Sequence, residues 1–168
     1  MFPALILFLV FVACMLVAAF KDATTFTIPN WISLAIIAAF IAVVPFTWQG
    51  VGVLGEHVLV GLAFFAAGFT MFALGWLGGG DAKMMAATAL WWTWPDAVTY
   101  IFSTTVVGLG LAVVIILGRN FIPVRVLTSP WTHKIFKEEK NMPYGIALAA
   151  GGVITLLQSD IYMQALAG

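Results

Sequence analysis

Charge is what this sequence has least of. Only 8% of its 168 residues are Asp, Glu, Lys or Arg, whereas 63% are hydrophobic and the mean hydropathy is +1.10. A typical soluble domain is about 45–50% apolar and roughly a quarter charged. A small water-soluble fold leaves much of its surface wet and could not hide this much apolar surface. The composition therefore excludes a soluble globular protein and predicts an all-α, polytopic membrane protein.

Cysteine and net charge are also scarce. The formal net charge is zero, so no global field indicates nucleic acid or another polyanion as a partner. The single cysteine, Cys14, excludes an internal disulfide and a Cys-rich zinc site. It lies within an apolar run, where we expect it to pack as a small hydrophobic side chain. We predict no bound metal and no cofactor.

Polar breaks divide the apolar sequence into six predicted spans, since crossing a bilayer takes about 20 apolar residues per helix. Their predicted limits are residues 3–20, 31–48, 58–77, 81–94, 97–117 and 143–157. The fourth is short, roughly 21 Å as a helix, and ends in Trp91, Trp92 and Trp94, which we expect at the membrane interface. Residues 52–57 are predicted to form an outer loop. One membrane domain, residues 1–168, fits this length.

The basic side chains predict the orientation of the bundle, because Lys and Arg favour cytoplasmic loops. With six spans, all of them fall in odd-numbered loops: Lys21, Lys83, Arg119, Arg125, Lys134, Lys137 and Lys140. Both termini are then predicted outside. Without the short fourth span, Lys83 and the later basic cluster would lie on opposite faces of the membrane.

Two acids stand at predicted helix ends on the cytoplasmic side. Asp22 closes the first apolar run, and Asp81 follows the glycine run Gly78-Gly79-Gly80. Ionisable groups in such places are costly and are functional candidates. Two neighbouring carboxylates do not both ionise cheaply, so one holds a proton while the other acts as a base. Such a pair is suited to hydrolysing a peptide bond.

Each of these residues also has a simpler interpretation. Asp22 could be a solvated acid beside Lys21, and Asp81 an acid stabilised by a helix dipole. The glycines could admit an extended substrate or form a hinge, and Lys83 could bias the charge of Asp81 or mark orientation. A rival function is a small transporter or pilus-assembly subunit whose aspartates bind protons or a cation.

Three stretches, in order, resemble the type IV prepilin peptidase family: Asp22-x6-Pro29-Asn30, Gly78-x-Gly80-Asp81 with Lys83-Met84-Met85, and Pro143-Tyr144-Gly145-Ile146-Ala147. The resemblance implies an aspartic endopeptidase of the bacterial cytoplasmic membrane that removes the leader of prepilins and pseudopilins. Its partners would be those precursor proteins and the lipids of the membrane that surrounds it. Asp22 and Asp81 would be the catalytic pair, with Gly78, Gly79, Gly80 and Lys83 near the substrate.

The sequence also departs from larger members of that family. They carry an N-terminal segment with cysteine pairs for zinc and methylate the new N-terminus. This chain has one cysteine and opens in its first span, so we expect neither property. It looks like the small, single-domain kind associated with tight-adherence (Flp-type) pili. Presenilin-like proteases share G-x-G-D but usually have Tyr before the first aspartate, and here Lys21 precedes Asp22.

Overall fold

A computed structural model of the protein describes residues 2–121 and 142–167, and the regular structure in these ranges is helical throughout. The helices are α1 (Phe2–Thr25), α2 (Asn30–Val43), a 3-10 turn (Val44–Phe46), α3 (Val51–Ala73), α4 (Gly79–Ala89), α5 (Trp94–Phe121), α6 (Tyr144–Leu156) and α7 (Asp160–Ala167). The basic residues expected in the fifth loop after Arg119 lie outside the described residues.

Length and apolar composition identify the helices that could cross a membrane. In the described residues these are α1, α3 and α5, and the pair α6–α7, bent by 47°, would add a fourth. The α2 helix with its 3-10 turn is apolar but shorter, and α4 has only 11 residues. The protein is therefore a multi-pass membrane protein that is helical in the parts of the chain described by the structure.

Two helix starts differ from the sequence predictions. Residues 52–57, expected to form a loop, belong to α3, which begins directly after Gly50, a residue with φ of 104°. Pro95 and Asp96, which lie between the predicted fourth and fifth spans, occupy the first turn of α5. The Asp96 carboxylate accepts hydrogen bonds from the Thr93 hydroxyl (2.9 Å) and the Thr93 backbone N–H (3.3 Å). This is a capping arrangement that starts a helix.

Helix α6 packs against α1, α4 and α5. Its buried face is rich in small residues, among them Gly145, Ala147, Gly151 and Gly152. A Cβ atom added at Gly151 would lie 2.9 Å from the backbone nitrogen of Thr104 in α5. Small side chains thus let α5 and α6 approach closely, which is how helices associate when no hydrophobic gain drives them together.

Two of the three tryptophans expected at the membrane interface, Trp91 and Trp92, are instead buried among the helices, whereas Trp94 is exposed. Trp91 and Trp92 are both 0% exposed, while Trp94 is 49% exposed. The Trp91 indole N–H donates to the Ile36 carbonyl (3.2 Å), and its ring centroid lies 4.7 Å from that of Phe11. These contacts fix one end of α4 between α1 and α2, and the opposite end begins beside Asp81.

Candidate active site

Asp22 lies in the last turn of α1, which continues beyond its predicted end to Thr25. The hydroxyls of Thr24 and Thr25 satisfy the carbonyls of Phe20 and Lys21, each at 2.7 Å. The helix ends at Phe26, whose φ of 54° turns the chain away, as left-handed residues after helices commonly do. The side chain of Asp22 is only 4% exposed, so the helix end carries a buried acid.

The carboxylate of Asp22 is fixed by a distant part of the chain. Its Oδ2 accepts a hydrogen bond of 2.7 Å from the backbone N–H of Gly145, in the first turn of α6. That N–H is one of the amides that a helix start leaves without an intrahelical partner. The positive end of the α6 dipole also favours a carboxylate at this place. The start of α6 therefore binds and orients Asp22.

Asp81 is the third residue of α4 and is half-buried. Its carboxylate accepts a hydrogen bond from the backbone N–H of Gly78, the residue that caps the helix. An acid at this position commonly satisfies the first backbone amides of a helix. A Cβ atom added at Gly78 would lie 2.8 Å from Asp81 Oδ2. Glycine at position 78 thus gives this carboxylate the space that it occupies.

Ile28 lies close to residues that surround each of the two acids. A Cβ atom added at Gly80 would lie 3.1 Å from the Ile28 Cβ. A Cβ atom added at Gly145 would lie 2.9 Å from the Ile28 Cδ1 and 2.8 Å from the Asp22 Cβ. The α1–α2 loop, the start of α4 and the start of α6 therefore converge on one small region, which contains both Asp22 and Asp81.

The two acids interact electrostatically in this region. Burial and the neighbouring carboxylate of Asp22 raise the pKa of Asp81 to about 7, and the hydrogen bond with the Gly78 backbone partly offsets that rise. A second negative charge beside the first is unfavourable where water is scarce. Near neutral pH, this arrangement favours one shared proton over two ionised carboxylates.

The remaining residues of the glycine motif have structural contacts. Lys83 is exposed, and its ammonium group donates to the Asn30 Oδ1 (3.0 Å), which ties α4 to the start of α2. A Cβ atom added at Gly79 would lie 3.2 Å from the ring of Phe72 at the end of α3. The lysine thus interacts with Asn30, one of the residues that follow Asp22 in the motif.

The sequence does not predict the parts played by Ile28, which precedes Pro29-Asn30 in the motif, and by the backbone N–H of Gly145. Gly145 was recognised only within the Pro143-Tyr144-Gly145 stretch. A glycine in the first turn of a helix, after a proline, signals close approach by another group.

At the opposite end of α4, Glu56 accepts a hydrogen bond of 2.9 Å from the Trp94 backbone N–H. The described residues contain no group of three His, Cys, Asp or Glu side chains arranged to hold a metal ion.

The pattern of the type IV leader peptidase family matches residues 9–113, more than half of the chain, and this stretch includes Asp22 and Asp81. The chain belongs to the type IV leader peptidase family. Membership implies a peptidase that processes prepilin-like proteins. The matched stretch ends within α5, before the α6 residue that binds Asp22. No curated protein and no solved structure gives a significant match.

Proposed function

We propose that this protein is a membrane aspartic endopeptidase in which Asp22 and Asp81 together activate water. The observation that supports the proposal most strongly is the convergence of two acids from separate helices around Ile28. Its substrates are prepilins and pseudopilins, and the bond that it cuts joins their leader to the mature chain. The glycine run Gly78–Gly80 lies beside the pair, where an extended peptide could approach the backbone closely.

The proposed reaction uses one proton that the pair shares. The ionised carboxylate takes a proton from water, and the water oxygen bonds to the carbonyl carbon of the peptide. The protonated carboxyl donates a hydrogen bond to the carbonyl oxygen, which gains negative charge in this step. The carbon–nitrogen bond then breaks, and the leaving amine receives a proton from the pair. Asp22 and Asp81 again hold one proton between them, so no cofactor is consumed.

We further propose the six-span arrangement with both termini outside, in which α2 and α4 are short helices held among the longer ones. Lys21 and Lys83 stand beside the two acids in sequence, and basic residues favour the cytoplasmic side. The pair then lies at the cytoplasmic edge of the bacterial inner membrane. A leader that remains in the cytosol could reach this edge while the apolar helix of its precursor stays in the bilayer.

The test is cleavage of a prepilin-like precursor by the purified protein in liposomes. We expect D81N to lower kcat by at least about 1,000-fold, because it removes the shared proton site. D96N is the matched control, since Asp96 is also the third residue of a helix but caps Thr93 instead of facing Asp22. Normal cleavage by D81N, or equal losses in both variants, would contradict the proposal. Proton flux through the protein without precursor cleavage would favour the rival function, a small transporter.

A further inference from the structure

An open groove runs along one side of the bundle. Its volume is about 450 Å³, and it lies between α2 and α3, each of which packs against α4. Leu34 of α2, with Leu62 and Phe65 of α3, forms its walls. These three side chains are 64%, 58% and 55% exposed, respectively. They are open to whatever occupies the bilayer next to the protein.

Small residues form part of the lining of the groove. Ala86 and Ala87 of α4, together with Gly61 of α3, line it. Small side chains between large apolar walls allow another helix to approach the backbone closely, and in lipid such close packing is what holds helices together. An amphipathic or apolar helix lying in an apolar groove is also a common recognition mode. The shape therefore suits a helix.

One end of the groove is polar, and its residues are close neighbours in sequence of the candidate active site. Lys83 and Asn30 line this end, and their side chains are hydrogen-bonded to each other at 3.0 Å. Lys83 follows Asp81 by two residues. Asn30 follows Ile28 by two residues, and Ile28 is the side chain around which the two acids converge. The polar end of the groove is thus two residues along the chain from the acid region, and neither acid lines the groove itself.

We propose that this groove binds the membrane-spanning helix of the precursor and presents the bond to be cut at its polar end. The inference rests on the proposed function and adds the place where the substrate is held. A peptide must unwind at the bond that is cut, which leaves backbone carbonyls without helical partners. The ammonium group of Lys83 offers donors to such oxygens. The apolar part of the substrate helix covers Leu34, Leu62 and Phe65.

Disulfide cross-linking tests the location directly. Cys14, the only cysteine of the chain, is replaced by serine, and D81N keeps the precursor intact. L34C and L62C are expected to cross-link to single cysteines along the precursor helix, with the partner position shifting regularly along it. L109C on α5 is the matched control, since Leu109 is 66% exposed but lies outside the groove. Equal cross-linking at all three positions would overturn the inference.

Filling the groove provides a kinetic test in the active protein. A86F places a ring in the groove and is expected to raise KM for the precursor by about tenfold or more, with a smaller change in kcat. A67F, on the opposite, exposed face of α3, should change neither value by more than about twofold. An unchanged KM in A86F, with phospholipid retained in the groove, would overturn the inference and identify a lipid site.

The two proposals fail in different ways. If the wild-type protein cleaves the precursor but L34C and L62C do not cross-link to it, the groove assignment is wrong and the peptidase assignment stands. If the wild-type protein cleaves no precursor, the peptidase assignment fails first, and the groove loses its proposed occupant with it.

Discussion

Replacing Gly145 with alanine should separate the two elements that hold Asp22. The added Cβ atom would lie 2.8 Å from both the Cβ and the Oδ2 of Asp22, and 2.9 Å from the Ile28 Cδ1. Unbonded carbon atoms prefer about 3.5–4.0 Å, so α1 and α6 would have to separate by about 1 Å. A misplacement of that size can cost about 100-fold in rate. We therefore expect kcat for precursor cleavage in G145A to fall by about 100-fold.

The assay compares purified G145A with G110A, a matched substitution on α5, where an added Cβ atom meets nothing within 4 Å. G110A should retain its kcat within about twofold. Alanine also favours helix over glycine, so a loss of activity in G145A cannot come from lower helix propensity. Thermal unfolding of both variants in the same detergent shows whether they are folded. A folded G145A with wild-type kcat would refute the role assigned to the contact between α1 and α6.

Three further predictions concern the proton, the glycine run and the buried aromatic cluster. Burial and the Asp22 carboxylate raise the pKa of Asp81 to about 7, so the pair holds its proton below that pH and loses it above. The value of kcat/KM for precursor cleavage should therefore fall about tenfold per pH unit beyond about pH 8. A flat pH profile would contradict this. G78A places a Cβ atom 2.8 Å from Asp81 Oδ2 and should lower kcat at least about tenfold, whereas unchanged cleavage would show that the carboxylate has room to move. W91F removes the hydrogen bond to the Ile36 carbonyl and should lower the free energy of unfolding by about 1–3 kcal/mol, measured by denaturant titration; unchanged stability would count against the bond.

The fold class was predictable because it follows from composition and from local breaks in hydrophobicity. Apolar runs and turn residues are neighbours in sequence, so the approximate positions of the helices follow from the sequence alone. The limits of α3 and the burial of Trp91 did not. Residues 52–57 are polar enough for a loop, yet no proline interrupts them and they continue as helix. Trp91 is buried because side chains of α1 and α2 pack against it, which no local pattern encodes.

The candidate site was predictable in part. Asp22 and Asp81 are conspicuous because acids are rare in so apolar a sequence, and the structure brings them to one end of the bundle. The hydrogen bond from Gly145 to Asp22 joins residues 123 positions apart. Spacing along the chain carries no information about such a contact. The groove beside Lys83 likewise depends on how α2, α3 and α4 pack together, so only the structure reveals it.

The central claim is that Asp22 and Asp81 act as one unit with one proton. Its most direct test measures precursor cleavage by D22N, D81N and the double variant D22N/D81N, all shown to be folded in the same liposomes. Residues that act as a unit give non-additive losses, so the account predicts that the double variant is no worse than either single one, with all three at least about 1,000-fold below wild type. A single variant that cleaves at the wild-type rate, or losses that multiply in the double variant, would contradict it.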